Sequence, residues 1–208
     1  MEWSSILGIL FAVLAAIGLP LALSKRKKAG PPRREELYQH LRKMGVEATL
    51  VERGADEEKV GVSRGSGQRP EGIIQLRRQN IDSVKVVSVA SQYAVNYFVD
   101  YLVKSPNITG KRPLKKTRLV RGKSSALWGK VVAIEWKGDE SLARSLNFDY
   151  RLNDKLLSAD SDPSALKGNL WILPEPKHGY ARIRTNYFLP SPEMLEAMNI
   201  IAKHVKSW

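Results

Sequence analysis

The sequence predicts an α+β protein in which a single N-terminal transmembrane helix precedes one domain, a mainly antiparallel β-sheet covered by two or three helices. Two observations lead to this prediction. Residues 6–23 form an unbroken apolar run, and most segments from residue 72 onward alternate apolar and polar residues without regular strand-helix repetition. The predicted boundaries are 1–24 for a transmembrane anchor, 25–34 for a basic juxtamembrane linker and 35–208 for the domain.

The N-terminal apolar run is long enough to cross a bilayer. Residues 6–23 contain only apolar residues, glycine and proline, and a helix of that length spans roughly 27 Å. Glu2 precedes the run and four bases follow it, whereas a secretory signal peptide carries positive charge before its apolar core. An uncleaved anchor is therefore the favoured interpretation, and a signal cleaved after residues 22–24 is the alternative.

The charges beside the apolar run predict the orientation of the protein in the membrane. The linker carries six bases and no acid, namely Lys25, Arg26, Lys27, Lys28, Arg33 and Arg34. Because flanking Lys and Arg resist translocation, we expect the N-terminus outside and the domain in the cytoplasm. Small residues at positions 8, 12 and 16 (Gly8, Ala12 and Ala16) share one helix face, which allows homo-oligomer formation by close helix packing, although such residues are also common in any apolar segment.

The net charge of +13 arises from two short segments. Residues 25–34 contribute six bases, residues 104–123 contribute eight, and neither segment contains an acid. The remainder of the chain has 20 bases and 21 acids, so it is nearly neutral. The second segment adds six candidate contact residues to those of the linker: Lys111, Arg112, Lys115, Lys116, Arg118 and Arg121.

A basic segment of this kind has three interpretations. It is a solvated loop, a contact with the anionic lipid head groups of a membrane, where each base near the leaflet gains about 1 kcal/mol, or a site for nucleic acid or an acidic protein. Residues 104–123 contain no aromatic side chain on which a base could stack. We therefore expect the membrane to be the partner, with nucleic acid as the alternative.

Local patterns predict the elements of the domain. A helix is expected over residues 32–44, and the stretches "VEATLVER" and "KVGVSR" are expected to form a short pair of strands. Residues 93–103 alternate with the period of a half-buried strand, although Tyr93, Tyr97 and Tyr101 also have helical spacing. The strand is favoured because Val, Tyr and Phe dominate the segment.

The C-terminal half continues with two helices and a hairpin. Asp139 is expected to cap a helix interrupted near Asn147, and Ser191 to cap the final helix. Between them, residues 170–189 read as a hairpin in which Arg182 and Arg184 share one exposed face.

No motif in the sequence indicates a catalytic site, a metal site or a cofactor-binding site. The chain has no cysteine, its three histidines are scattered, and Gly61–Gly65 matches G-x-S-x-G without the helix that the motif requires. We therefore predict no catalytic residue, no metal site and no cofactor, and expect a non-enzymatic scaffold or interaction module. An enzyme without a recognisable motif is the remaining alternative.

Overall fold

The computed structural model describes residues 32–63, 67–109, 113–123, 131–160 and 170–208, and Arg33–Trp208 forms one compact unit. The predicted anchor over residues 1–24, with Gly8, Ala12 and Ala16, lies outside these ranges, as do the bases at positions 25–28, 111 and 112. None of the helices within the described ranges has the length and apolar character needed to cross a bilayer.

An eight-stranded sheet forms the body of the domain, and every paired strand in it is antiparallel. The strands are β1 Ala48–Leu50, β2 Gln68–Leu76, β3 Ser83–Ala90, β4 Val95–Lys104, β5 Thr117–Lys123, β6 Val131–Lys137, β7 Trp171–Glu175 and β8 Tyr180–Asn186. Their spatial order is β1-β2-β3-β4-β8-β7-β5-β6. The predicted α+β class is confirmed, and residues 95–103 of the segment 93–103 lie in strand β4, whereas Tyr93 and Ala94 belong to the turn before it.

Four helices accompany the sheet, more than the two or three expected. They are α1 Arg33–Lys43, α2 Glu140–Asn147, α3 Tyr150–Asp160 and α4 Pro192–Ser207. The predicted caps are confirmed, because Asp139 accepts the amide of Leu142 at 3.1 Å and Ser191 accepts that of Met194 at 3.2 Å. The break near Asn147 separates α2 from α3, which makes the extra helix.

All four helices pack on one face of the sheet. On β4, Val99, Tyr101 and Val103 are buried against this layer, as the alternation of the strand predicts. The apolar stripes of the helices complete the same core, with Leu41 on α1 and Ile201 on α4 fully buried. One face of the sheet is therefore covered by helices, and the other face is left to shorter segments.

The chain between β1 and β2 covers part of the helix-free face. Val60 is buried there against Ile73 and Leu102 in a small second apolar cluster. The prediction that "KVGVSR" forms a strand was wrong over its described residues 59–63, because these form turns and irregular chain and β1 pairs with β2 instead. Val60, the first valine of that stretch, packs on the sheet and does not extend it.

Candidate functional site on the helix-free face of the sheet

A row of side chains crosses seven strands at one level of the helix-free face. Directly opposed partners in an antiparallel sheet project to the same side. Successive register pairs give the row Ile73, Lys85, Asp100, Arg184, Trp171, Arg118 and Lys137. Strands that are far apart in the sequence thus place five charged residues on one line.

Asp100 lies at the centre of this row and is fully buried. Arg184 holds its carboxylate with two hydrogen bonds, from Nε to Oδ1 at 2.6 Å and from Nη2 to Oδ2 at 2.8 Å. Arg182 donates from Nη1 to Oδ2 at 3.3 Å, and the Lys85 ammonium lies 3.9 Å from the same oxygen. A paired fork of this kind is among the stronger ways to hold a buried carboxylate.

The buried cluster carries more positive than negative charge. Arg182 also donates to Glu175, so two carboxylates face the three cations Lys85, Arg182 and Arg184. The expectation that Arg182 and Arg184 share an exposed face was wrong in one respect. They do share a face, but both are more than nine-tenths buried because their charges are matched inside the domain.

Lys85 is the member of the cluster with the least favourable surroundings. Its ammonium donates to the carbonyl of Val60, and its side chain is fully buried. Burial lowers the pKa of Lys85 to about 8, with the attraction of Asp100 opposing this effect and the two arginines reinforcing it. Lys85 therefore holds the covering segment on the sheet at an electrostatic cost.

The outer part of the row is exposed and basic. The ammonium of Lys116 lies 4.3 Å from the centre of the Trp171 ring, and Arg118 is the register partner of that tryptophan. Lys115, Lys116 and Arg118 are all exposed, and among the described residues no ion pair involves them. Their neighbour Lys137, in contrast, pairs with Glu135 at 3.0 Å. We call Lys115, Lys116 and Arg118 the basic edge.

The bases at the start of the domain have partners of their own. The Arg33 guanidinium lies 5.6 Å and 5.0 Å from the ring centres of Tyr97 and Tyr187, and it pairs with Glu36 at 3.0 Å. The hydrogen bond from Tyr187 and the contact with Arg33 lower the pKa of the Glu36 carboxyl, although burial opposes them. Half of the Arg33 side chain nevertheless remains exposed.

The other predicted contact residues are less available. Arg34 pairs with Glu35 and lies over Gly72, where a larger residue would collide with it. Arg121 is half-buried and engaged in further interactions. Neither side chain is therefore a free base.

The structure separates the predicted basic residues into two groups at different ends of the sheet. Arg33 lies at the end where β4 begins, beside Tyr97. Thr117, which follows the exposed Lys116, is in register with Ile172, Ile183 and Tyr101. Thr117 is at the level of Tyr101, which is four residues further along β4 than Tyr97, and β5 is the third strand from β4. With about 3.3 Å per residue and about 4.8 Å per strand, Thr117 lies roughly 20 Å from Tyr97. Among the described residues, Arg33 and the basic edge thus do not form one continuous patch.

Sequence reasoning missed a constellation that joins three helices. Ser145 Oγ lies 2.8 Å from Nδ1 of His204, and Asp149 Oδ2 lies 2.8 Å from Nε2 of the same ring. Burial raises the pKa of Asp149, but the hydrogen bonds from His204 and from the Leu152 amide outweigh it, so the pKa of the carboxyl falls below its ordinary value.

The constellation resembles a catalytic triad only in its residue types. Ser145 is exposed on α2, whose backbone amides point along the helix axis instead of toward a developing oxyanion beside the serine. The geometry is that of a clamp in which His204 ties α4 to α2 and to the start of α3. In the described ranges, no group of three or more His, Asp and Glu side chains is arranged to hold a metal ion.

The fold and the site define a class of protein in structural terms: an α+β domain whose antiparallel sheet is covered by helices on one face and has exposed bases at and before the start of β5. No protein-family model, curated protein or solved structure matches the chain. What the arrangement can do chemically is bind: exposed ammonium and guanidinium groups beside a tryptophan recognise anionic groups.

Proposed function

We propose that this chain is a non-enzymatic, single-pass membrane protein whose domain is an interaction module on the cytoplasmic side. Residues 1–24 are the anchor, with the N-terminus outside, because an apolar run of bilayer length is followed directly by bases that resist translocation. Gly8, Ala12 and Ala16 give this anchor a face on which a second copy can pack. The compact unit begins at Arg33, within the last two residues of the predicted linker, which supports a tethered domain.

The linker bases are the lipid contact in this proposal. Lys25, Arg26, Lys27 and Lys28 follow the anchor directly, and Arg33 keeps half of its side chain exposed at the start of the domain. Bases at this position lie within a Debye length of the anionic head groups, where each gains about 1 kcal/mol. The linker therefore holds the first residues of the domain close to the leaflet.

The basic edge is the partner surface, and one observation carries this assignment: the side chains of three neighbouring exposed bases form no ion pair among the described residues. Lys111 and Arg112 precede them in the chain and add to the same charge. The position of the basic edge, roughly 20 Å from the start of the domain, favours an anionic macromolecule over the same lipid surface. The domain would then hold an acidic partner at the membrane.

Nucleic acid is the second candidate, and Trp171 favours it. The sequence of the basic segment contains no aromatic residue, but the fold places the half-buried ring of Trp171 under Lys116. Aromatic rings beside bases are the usual means of binding single strands without sequence preference. A membrane-tethered nucleic-acid binder would use the same three bases.

The topology is tested by a reporter fused after Trp208 in the full chain. We expect a reporter active only in the cytoplasm to be functional and one active only outside to be silent, because six bases follow the apolar run and none of the side chains before it is basic. Resistance of the protein to alkaline extraction from membranes should accompany this result. A reporter found outside, or a protein released by alkali, would refute the anchor and its orientation.

The partner surface is tested by neutralising Lys115, Lys116 and Arg118 together to Gln. At about 1 kcal/mol for each base, binding of a polyglutamate peptide or a single-stranded oligonucleotide by the full chain in detergent should weaken about 100-fold. The control neutralises the exposed bases Arg42, Lys43 and Lys203 on the helical side, with the same change in net charge.

The two probes separate the two candidate functions. Preference for the peptide supports the scaffold, whereas preference for the oligonucleotide, with a logarithmic salt dependence that falls by about 3 in the variant, supports the nucleic-acid binder. If the variant and its control lose the same amount of binding affinity, binding depends only on the net charge of the protein. That result would contradict the basic edge as a specific site.

A further inference from the structure

The tip of the β3–β4 hairpin is exposed, apolar and uncharged. No residue between Lys85 and Asp100 carries a charge, although a quarter of the whole chain is charged. At the tip, Tyr93 is 95% exposed and Val95 is 52% exposed, so two of the large apolar residues that the domain leaves in water lie within three positions. An uncharged apolar projection of this kind marks an interaction surface.

The tip is held in shape and is not a loose loop. Ala90 pairs with Val95, so the connection has only four residues. The amide of Ser91 donates to the carbonyl of Ala94 at 2.8 Å, and the amide of Ala94 donates to Ser91 Oγ at 3.1 Å. The backbone that carries Tyr93 is therefore held in place, and little backbone entropy is lost when the tip binds.

The tip projects from the end of the sheet at which the domain starts. Arg33, the first residue of α1, lies against the rings of Tyr97 and Tyr187, and Tyr97 is two residues from the beginning of β4. Arg69, an exposed base on β2, is the register partner of Ser88 near the same end. Two bases, Arg33 and Arg69, thus lie toward the same end of the sheet as Tyr93.

The length of the linker limits how far this end can lie from a membrane. Residues 25–32 connect the predicted anchor to α1, and eight extended residues span at most about 28 Å. Tyrosine beside Lys and Arg is the combination that concentrates at the head-group level of a bilayer, where the ring is buried and its hydroxyl stays hydrated. The chemistry of the tip therefore matches a lipid surface within its reach.

We infer that the β3–β4 tip inserts into the head-group region of the bilayer that holds the anchor, with Tyr93 and Val95 as the inserted side chains. This inference rests on the proposed membrane anchorage. The domain then stands on the end of its sheet that contains Arg33, with two attachments to the membrane, the linker and the tip. In that orientation the basic edge, roughly 20 Å away across the sheet, faces the cytoplasm.

The experiment measures the depth of single labels on the full chain in nanodiscs of phosphatidylcholine and phosphatidylserine. Because the natural chain has no cysteine, Tyr93→Cys carries the only reactive thiol and accepts one fluorophore. The matched control is Lys177→Cys, an exposed position in the turn between β7 and β8 at the opposite end of the sheet. Nitroxide-labelled lipid should quench the label at position 93 several-fold more than the label at position 177.

A second pair of variants tests whether the tyrosine ring itself makes the contact. With the label at Gln92→Cys, we expect Tyr93→Asp to reduce quenching to the level of the position 177 control. Tyr150→Asp, which changes an equally exposed tyrosine on α3, should leave it unchanged. Both tyrosines are more than four-fifths exposed, so neither change should unfold the domain.

The outcomes distinguish this inference from the proposal on which it rests. Failure of the unlabelled chain to incorporate into nanodiscs would contradict the membrane anchor itself. Incorporation with equal quenching at positions 93 and 177, weak or strong, would overturn the insertion of the tip and leave the anchor in place. Strong quenching at position 93 that survives Tyr93→Asp would also overturn it, because the ring would then not be the inserted group.

Discussion

Replacing Asp100 with Asn should lower the free energy of unfolding by about 3–5 kcal/mol, the usual cost of removing one partner from a buried ionic group. The carboxylate of Asp100 is fully buried and accepts two hydrogen bonds from Arg184 and one from Arg182. Without its charge, Glu175 alone would face Lys85 and the two arginines. Urea unfolding of the full chain in a nonionic detergent, followed by tryptophan fluorescence, measures the loss.

Lys85→Met is the control, because it removes the excess cation and leaves Asp100 bound to both arginines. We expect a net change within about 1 kcal/mol at neutral pH, since the desolvated charge that methionine avoids is offset by the hydrogen bond lost at the buried Val60 carbonyl. A loss as large as that of Asp100→Asn would contradict the electrostatic account and would indicate that packing under Val60 is what both variants disturb.

The pH dependence of the free energy of unfolding gives a second test of Lys85→Met. The pKa of Lys85 is about 8 in the folded protein against an ordinary value of 10.5, so the unfolded chain binds more protons between these limits. Stability should therefore rise with pH through this interval, by about 3 kcal/mol from Lys85 alone. In Lys85→Met that rise should be absent, and a rise of the same size in the variant would assign it to another group.

Local patterns in the sequence were sufficient to predict the elements that depend on nearest neighbours. The alternation in β4 follows from the two faces of a strand, and the caps at Asp139 and Ser191 follow from the free amides at a helix start. Even the interruption near Asn147 is local, because Asp149 caps the next helix by accepting the amide of Leu152. These features need no knowledge of the rest of the fold.

The buried charges could not be predicted because their partners are distant in the sequence. Arg182 and Arg184 lie 82 and 84 residues from Asp100 in the sequence. The alternation of apolar and polar residues in β8 therefore predicted that both arginines are exposed to solvent. What decides their burial is the segment around Val60, which covers the second face of the sheet. The available signal was a charge in the interior of a largely apolar strand, at Lys85 in β3 and at Asp100 in β4.

The basic residues of the candidate site were predicted, but their arrangement was not. Composition alone identifies residues 104–123 as basic. Strand register decides that Arg118 opposes Trp171, and register cannot be read from a strand with bases on its outer side. The same register places the basic edge away from Arg33, so that among the described residues the two basic segments of the sequence lie apart.

Gly138→Ala should destabilise the domain by about 2–4 kcal/mol and weaken the basic edge as well. Gly138 has a φ of +141°, and an added Cβ would lie 2.2 Å from the carbonyl oxygen of Lys116 and 2.6 Å from Cα of Thr117. Both contacts are backbone, so relief requires the segment that carries the lysines to move. Gly122→Ala on β5 is the matched control, since its Cβ would only touch Ala133 at 3.5 Å and should change stability by less than about 0.5 kcal/mol. Thermal unfolding and polyglutamate binding of the two variants should therefore diverge, and equal behaviour would show that Gly138 does not position the basic edge.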